Sequence, residues 1–290
     1  MRAFLRSILR RTMPLLPMRG RHRLADQLGQ WLMPEPSSQV FSLNGFYLPL
    51  DHALPVCRHM YYGVYEMPFV DFLQRTLREG DVFVDLGANI GYITAQVHGM
   101  VGERGRVIAC EASPTCNALV KQHNTPFPPG VIWREAAVMD RDGTFPFCDT
   151  PRVISHGFGR VLHGGVREGE TVTEVRAITV DTLLKEAGVA HVHALKVDVE
   201  GCERIALLGA KELLSRGAVD HIMVETTNVT PSEKEETKAI FALLRQHGMA
   251  PFEPDADGRL RPFQRDMDRD FRVDVVWRAT RLSELQGSER

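Results

Sequence analysis

The sequence predicts an α/β fold with a mostly parallel seven-stranded sheet, helices on both faces and an antiparallel hairpin at the C-terminal end. Three observations predict it. Short apolar runs alternate with amphipathic stretches for five units, which favours parallel strands joined by helices. The last two strand candidates have no helix between them, as in a closing hairpin. Acids or glycines follow several of the apolar runs, at the sheet edge where such folds bind ligands.

The predicted elements follow in order along the chain. The strand candidates are residues 82–86, 106–110, 131–138, 193–199, 219–225, 249–253 and 271–278. The helix candidates are residues 67–79, 90–98, a helix starting at Ser113-Pro114, and residues 181–187, 203–215 and 232–247. Residues 141–180 lack helical periodicity and are expected to form a hairpin-like insertion near the acceptor pocket.

The expected organisation has three parts, and the 290 residues suffice for one large domain. Residues 1–60 form a basic helical extension and a lead-in segment, residues 61–280 form the α/β domain, and residues 281–290 form a tail. The net charge of −2 disfavours a nucleic-acid partner. Five cysteines without a C-x-x-C pair disfavour a disulfide framework and indicate a reducing, cytoplasmic compartment.

The N-terminus is strongly basic. Residues 1–25 contain seven arginines and no acid, with Leu5, Ile8 and Leu9 at helical spacing. One interpretation is an amphipathic segment that contacts an anionic membrane or a lipid-linked substrate. The others are a solvated terminal extension and a cleaved targeting peptide. No apolar run here is long enough to span a bilayer.

A glycine-containing turn follows the first predicted strand, at Asp85-Leu86-Gly87-Ala88-Asn89-Ile90-Gly91. Gly87 permits a tight turn and close approach of a ligand, and Gly91 permits close packing of the next helix. A dinucleotide site has the pattern G-x-G-x-x-G, whereas Asn89 stands here at the middle position. An acid before the turn repels pyrophosphate and suits a cationic ligand such as a sulfonium that carries an ammonium group.

Glu111 ends the second predicted strand, 24 residues after Gly87. An acid at this position can accept hydrogen bonds from both hydroxyls of a ribose. The alternative is an exposed strand-end carboxylate without a partner.

Four runs in order resemble the motifs of the FkbM-type methyltransferases. They are VDLGANIGY at 84–92, EASP at 111–114, VDTL at 180–183 and LKVDVEGCE at 195–203, and GVYE at 63–66 is similar to the family's lead-in segment. The resemblance covers Tyr62 to Glu225. It implies a Rossmann-like methyltransferase fold, S-adenosylmethionine as methyl donor and an oxygen acceptor, mostly on sugars and natural products. The donor-binding candidates are Glu66, Asp85, Gly87, Asn89, Gly91, Glu111, Ala112 and Ser113.

Methyl transfer from a sulfonium needs an aligned nucleophile and removal of its proton. Strand alternation places Lys196, Asp198 and Glu200 on one side of the fourth predicted strand. Two roles are open: Asp198 or Glu200 takes the hydroxyl proton while Lys196 orders the pair, or the three form a structural ion network. His156 in the insertion is a further candidate base, although a lone loop histidine is more often solvated.

A divalent metal is a weaker hypothesis. Asp198 and Glu225 end adjacent strands and Asn228 follows, an oxygen-rich set that suits magnesium. Acids also end strands in many metal-free sites.

The sequence therefore predicts a cytoplasmic S-adenosylmethionine-dependent O-methyltransferase acting on a hydroxyl of a sugar, glycan or natural product, with membrane contact through residues 1–25 as an added hypothesis. Two alternatives stay open: a nicotinamide-dependent oxidoreductase, which the missing middle glycine disfavours, and a donor-binding scaffold without catalysis. A nucleic-acid base methyltransferase is disfavoured because no Asp/Asn-Pro-Pro-aromatic run follows the fourth strand.

Overall fold

The computed structural model describes residues 2–16, 18–32, 38–149, 159–161 and 171–280. The strands are β1 (Ser38–Leu43), β2 (Phe46–Asp51), β3 (Val82–Leu86), β4 (Arg106–Glu111), β5 (Val131–Glu135), β6 (Ala137–Val138), β7 (Gly143–Asp149), β8 (Gly159–Val161), β9 (Thr171–Ile178), β10 (Val192–Val197), β11 (Val219–Asn228), β12 (Met249–Pro254), β13 (Leu260–Pro262) and β14 (Phe271–Ala279). The helices are α1 (Arg2–Thr12), α2 (Met18–Leu32), α3 (Pro55–Tyr61), α4 (Met67–Thr76), α5 (Tyr92–Val101), α6 (Pro114–His123), α7 (Val180–Ala187), α8 (Glu203–Leu208), α9 (Lys211–Ser215) and α10 (Pro231–Gln246).

The main sheet has eight strands in the order β13-β12-β14-β11-β10-β3-β4-β5. Strands β3, β4, β5, β10 and β11 run parallel, whereas β14 pairs antiparallel with both β11 and β12. The predicted fold class is confirmed. The added edge strand β13 is three residues long, too short to produce a periodic signal in the sequence. The strand order reverses between β3 and β10, so a ligand site is expected at their carboxyl ends.

Two predicted elements are divided in the structure. The third strand candidate, 131–138, splits into β5 in the main sheet and β6 in a second, four-stranded sheet with β7, β8 and β9. The predicted helix 203–215 is two short helices, α8 and α9, that meet at Gly209-Ala210. A side chain at Gly209 would overlap the carbonyl oxygen of Met139, so the backbone passes close to Met139 at the point where the helix breaks.

Apolar side chains cover the main sheet on both faces, as expected of parallel strands. Val84 and Leu86 pack into one core cluster with residues of α7 to α10. Phe83, which points the other way, packs into a second cluster with residues of α4, α5 and the β1–β2 hairpin. Successive side chains of β3 point to opposite faces of the sheet, so this strand contributes to both apolar cores.

The β1–β2 hairpin supports the turn that follows β3. The Phe46 ring is fully buried beside Trp133 and Phe127. A side chain at Gly91 would overlap this ring, so the glycine is needed for contact between the hairpin and the start of α5. The N-terminal hairpin thus belongs to the wall of the domain.

The N-terminal helices α1 and α2 pack on the same body. Met13 and Ala25 are fully buried and form a small apolar cluster with Tyr62 and Val64. This part of the chain is therefore not a wholly solvated extension. Within the described ranges, no helix combines the length and the apolar character needed to cross a bilayer.

Replacing Phe46 by alanine should lower the free energy of unfolding by about 3–5 kcal/mol, because loss of the ring leaves a cavity between the β1–β2 hairpin and the start of α5. The neighbouring Tyr47 is exposed, so Tyr47→Ala is the matched control, with an expected change of about 0.5 kcal/mol or less. Urea unfolding measures both changes. Equal losses for the two variants would contradict the packing role of Phe46.

Candidate active site

A cavity of about 360 Å³ opens at the carboxyl ends of β3, β4 and β10, where the strand order reverses. Its walls are strongly acidic. Among the described residues that line it, seven carry carboxyl groups and one carries an amine. The acids are Glu66, Asp85, Glu111, Asp198, Glu200, Glu225 and Asp274, and the amine is Lys196. Such a cavity attracts cations and repels phosphate.

Lys196 joins the ends of two strands. Its Nζ lies 2.7 Å from Asp198 Oδ2 and 3.8 Å from Asp85 Oδ1, and it donates to the carbonyl oxygen of Gly87 at 3.4 Å. Burial lowers the pKa of Lys196, but Asp198, Asp85 and Glu66 more than offset this effect, so the pKa lies above its usual value. The ammonium group therefore stays charged.

The excess of carboxyl groups raises several pKa values. Burial, with the charges of Asp198 and Glu203, raises the pKa of Glu200 to about 7. Burial raises that of Glu66 to about 8, with Asp274 and Asp198 adding to it and Lys196 opposing it. Burial, with the charges of Asp198 and Glu200, raises the pKa of Glu225 to about 9. Glu66 and Glu225 are thus largely protonated at neutral pH, whereas Glu200 is about half protonated.

Glu111 is held in one orientation by two backbone amides. Asn89 N–H donates to Oε2 at 2.8 Å and Ser113 N–H donates to Oε1 at 2.7 Å. Burial raises the pKa of Glu111 and the two amide bonds oppose that rise. The carboxylate lines the cavity with its remaining lone pairs available, as a receptor for hydroxyl groups requires.

Three non-glycine residues of the cavity wall adopt the left-handed backbone region, namely Glu66, Asn89 and Glu200, with φ values of 49°, 53° and 54°. This region costs free energy for residues with a side chain, and such residues often occur at functional sites. The turn at Asn89 directs its amide at Glu111, and those at Glu66 and Glu200 place their carboxyl groups at the cavity.

The structure places most of the predicted site residues in the cavity wall. Glu66, Asp85, Gly87, Asn89, Glu111, Ala112, Lys196, Asp198, Glu200 and Glu225 line it. Gly91 and Ser113 stand behind the wall: Gly91 precedes α5 against Phe46, and the Ser113 hydroxyl caps α6 and donates to Asp149. His156 lies outside the described residues.

The structure also adds a residue to the site that the sequence patterns did not single out, and it distinguishes among three tyrosines for which the sequence leaves pocket lining and core packing open. Asp274 on β14 stands opposite Glu225 on β11 and lines the cavity. Its signal was a lone acid between Val273 and Val275 in an apolar strand. Tyr65 and Tyr92 line the cavity with their rings in edge contact, whereas Tyr62 is buried beneath the N-terminal helices.

Two residues of the magnesium hypothesis are engaged in other contacts. The Asn228 side-chain NH2 donates to the carbonyl oxygens of Met267 and Arg269 while its Oδ1 has no partner among the described residues, and the Asp198 carboxylate is bound to Lys196. One group in the described ranges has metal-ligand spacing, His191, His193 and Asp220, at the opposite edge of the sheet.

That group is already committed to hydrogen bonds. Nδ1 of His193 accepts from the amide of Val82 at 3.0 Å, and its Nε2 faces Asp81 at 3.2 Å. We assign no metal a role at either edge.

The wall fits a nucleoside-linked sulfonium. Asp85 Oδ1 and Glu66 Oε2 are buried without a hydrogen-bond partner among the described residues. Glu111 has oxygens available for a sugar diol, and Ala88, Ile90 and Ala112 also line the cavity with apolar surface. Negative charge at one end and an apolar, hydroxyl-accepting wall at the other match the two parts of S-adenosylmethionine.

Gly87 is expected to be irreplaceable for a steric reason. Its φ is 78°, and a side chain there would overlap the carbonyl oxygen of Asp198. Gly80 has a φ of 93° with no atom near such a side chain, so Gly80→Ala carries the backbone strain alone. We expect Gly80→Ala to cost about 1 kcal/mol and Gly87→Ala at least about 2 kcal/mol more, measured by urea unfolding. Equal costs would contradict the close approach of β3 and β10.

One comparison with known proteins, a match to a family model, shows the family of the chain. The methyltransferase FkbM domain matches residues 85–250, which is 166 of the 290 residues. No curated protein sequence matches the chain. Solved structures with a similar fold include an FkbM methyltransferase from Methylobacillus flagellatus KT, at 12% identity and a TM-score of 0.41, with 89% of this chain and 59% of that chain covered.

Two further structures are similar at the same level. Fibrillarin from Aeropyrum pernix, in complex with S-adenosyl-L-methionine, has 15% identity and a TM-score of 0.41, covering 70% of this chain and 68% of that chain. A SAM-dependent O-methyltransferase from Thermotoga maritima has 17% identity and a TM-score of 0.37, covering 75% and 67%. The domain match spans more than half of the chain and begins at the acid of its first motif, and the chain accordingly belongs to the FkbM family of S-adenosylmethionine-dependent methyltransferases.

Proposed function

We propose that this methyltransferase transfers the methyl group to a hydroxyl of a sugar, glycan or natural product, with Glu200 as the general base. The observation that carries the proposal is the arrangement of the cavity. Glu111 and Asn89 stand on its β4 side, and Asp198 and Glu200 stand at the end of β10. Donor and acceptor halves thus meet beside Lys196.

The donor half consists of groups that orient a cation and a ribose. Glu111 is fixed by two amides and accepts hydroxyl hydrogen bonds, and Asp85 and Glu66 add carboxyl groups, whose ionisation a bound cation favours. When bound, S-adenosylmethionine supplies an electrophilic methyl group on a positively charged sulfur. The chain's own task is to hold that group in line with the acceptor oxygen, which contributes several kcal/mol to catalysis.

Glu200 is a better base than Asp198. The Asp198 carboxylate is bound to Lys196 at 2.7 Å, and this contact holds it against the strand end. The Glu200 carboxyl group accepts no hydrogen bond from the described residues and lines the cavity, and its pKa of about 7 suits proton removal at neutral pH. In this assignment Asp198 and Lys196 are positioning residues.

The charge of the cavity narrows the class of acceptor. Among the described residues that line the cavity, Lys196 is the basic one and it is already bound to Asp198, so a phosphodiester would find carboxyl groups and no free cation at the site. Neutral hydroxyl compounds meet no charge repulsion there, and carboxyl groups are good acceptors for several adjacent hydroxyls. These two points support a sugar-like acceptor.

Glu111→Gln should weaken the binding of S-adenosylhomocysteine by about 1.5–3 kcal/mol, because a charged acceptor of the ribose hydroxyls is lost. Glu135, opposite Glu111 on the next strand and paired with Lys121 outside the cavity, supplies the control Glu135→Gln. Titration calorimetry compares the two. Unchanged affinity in both variants would remove Glu111 from the donor site.

Glu200→Gln should lower kcat by about 10²–10⁴-fold while leaving S-adenosylhomocysteine affinity within a few-fold. Because the base must be ionised, kcat/KM of the wild type should rise with pH and level off above about 7. This rise of kcat/KM with pH should be absent in the variant. The exposed Glu235 supplies the control Glu235→Gln.

The assay measures transfer of a radiolabelled methyl group from S-adenosylmethionine to a panel of methyl glycosides and polyols. RNA and simple amines serve as comparison acceptors. Transfer to RNA or amines alone would overturn the proposed acceptor class. A full loss in Asp198→Asn with activity retained in Glu200→Gln would move the base to Asp198.

A further inference from the structure

The first 32 residues carry most of the exposed apolar side chains in the described part of the protein. Six of the ten large apolar side chains that are exposed there belong to this segment, which is about a tenth of the chain. They are Phe4, Leu5, Ile8, Leu15, Leu16 and Trp31. Scattered exposed apolar residues need no explanation, but such a concentration marks an interaction surface.

Helix α1 turns its apolar side away from the protein. Phe4, Leu5 and Ile8 are 69%, 39% and 43% exposed. Ile8 follows Phe4 by four residues and Leu5 by three, so it lies beside both on the helix surface. The rest of the helix contacts the body: Leu9 packs on the Met13 cluster, and Arg10 stacks over the Phe41 ring at 4.2 Å. We call Phe4, Leu5 and Ile8 the α1 apolar face.

Positive charge surrounds this face. Residues 1–25 contain seven arginines and no acid. Arg11 is exposed and follows Ile8 by three residues and Phe4 by seven, so it lies on the same side of α1. Arg23 is exposed on α2, which packs beside α1. An apolar stripe bordered by arginines complements a bilayer with anionic headgroups, because acyl chains take the stripe and phosphates take the guanidinium groups.

We propose that the α1 apolar face docks on the surface of an anionic lipid bilayer, with α1 lying in the plane of the headgroups. The occupant is inferred from charge complementarity. A second protein chain would bury the same apolar residues, but it would not by itself call for the exposed arginines Arg11 and Arg23 beside them.

Helix α2, which packs beside α1, is bonded to the segment that forms part of the cavity wall. Arg21 Nη1 donates to Met67 Sδ at 2.8 Å, and His22 Nε2 donates to the carbonyl oxygen of Val64 at 3.0 Å. These two bonds flank Tyr65 and Glu66, which line the cavity. A protein docked through α1 is therefore anchored next to the segment that shapes its own active site, as suits an acceptor presented at a membrane.

Co-sedimentation of the full chain with phosphatidylcholine vesicles, with and without phosphatidylglycerol, tests the proposal. We expect the wild type to bind the anionic vesicles and to lose binding as salt is raised. Phe4→Ser/Ile8→Ser should lower the partition coefficient by about tenfold or more. Arg11→Gln/Arg23→Gln should lower it by about fivefold for each arginine, on anionic vesicles alone.

Matched controls alter exposed residues elsewhere on the surface. Val172→Ser/Val229→Ser removes exposed apolar side chains outside the segment, and Arg216→Gln/Arg272→Gln removes exposed arginines. Neither pair should change partitioning. Substitution is preferred to truncation because Met13, Arg21 and Ala25 are buried and their loss would disturb the fold.

Two results would overturn the proposal. One is a wild type that stays in solution with anionic vesicles while binding S-adenosylhomocysteine normally, a readout that also separates this proposal from the catalytic one. The other is a dimer in sedimentation velocity that Phe4→Ser/Ile8→Ser dissociates, which would assign the α1 apolar face to a second copy of the chain.

Discussion

The buried ammonium group of Lys196 holds together parts of the chain that would otherwise repel one another. It lies within 4 Å of Asp85 on β3 and of Asp198 after β10. It also donates to the carbonyl oxygen of Gly87, in the turn that follows β3. A buried charge of either sign is costly alone, and here each sign stabilises the other. The two strands at the reversal of strand order are thereby fixed at the distance that the cavity requires. Gly87 permits that distance because it has no side chain.

Local signals in the sequence were sufficient where local physics decides the structure. Strand β3 begins and ends where the apolar run does, and Ser113 caps α6 as a serine before a proline suggests. Strand alternation brought Lys196 and Asp198 to the same side. The position of Asp274 opposite Glu225 depended on the register of two strands almost fifty residues apart, for which the sequence has no short-range signal. The break between α8 and α9 depended in the same way on a neighbour, Met139.

The N-terminal segment shows a similar limit. Its arginines and helical spacing are visible in the sequence, but a solvated extension and a packed helix pair share that pattern. What distinguishes them is tertiary: Met13 and Ala25 are buried against Tyr62 and Val64. Arg58 adds to the same contact, because it is buried and its guanidinium lies 3.2 Å from Asp26 on α2. The apolar residues that spacing assigns to one stripe are divided, with Leu9 inward and Leu5 and Ile8 outward.

The crowding of carboxyl groups around the cavity also couples folding to proton uptake. Glu66, Glu200 and Glu225 hold their protons more tightly in the folded chain than a free glutamate does. Between the ordinary glutamate pKa and these raised values the folded state binds more protons, so the stability of the empty protein falls as the pH rises through that interval. A bound cation shifts the balance, because it favours the ionised carboxylates. The positively charged donor is then a counter-ion for the fold as well as a reactant. It stabilises the protein most at neutral and alkaline pH, where the protein with an empty cavity is least stable.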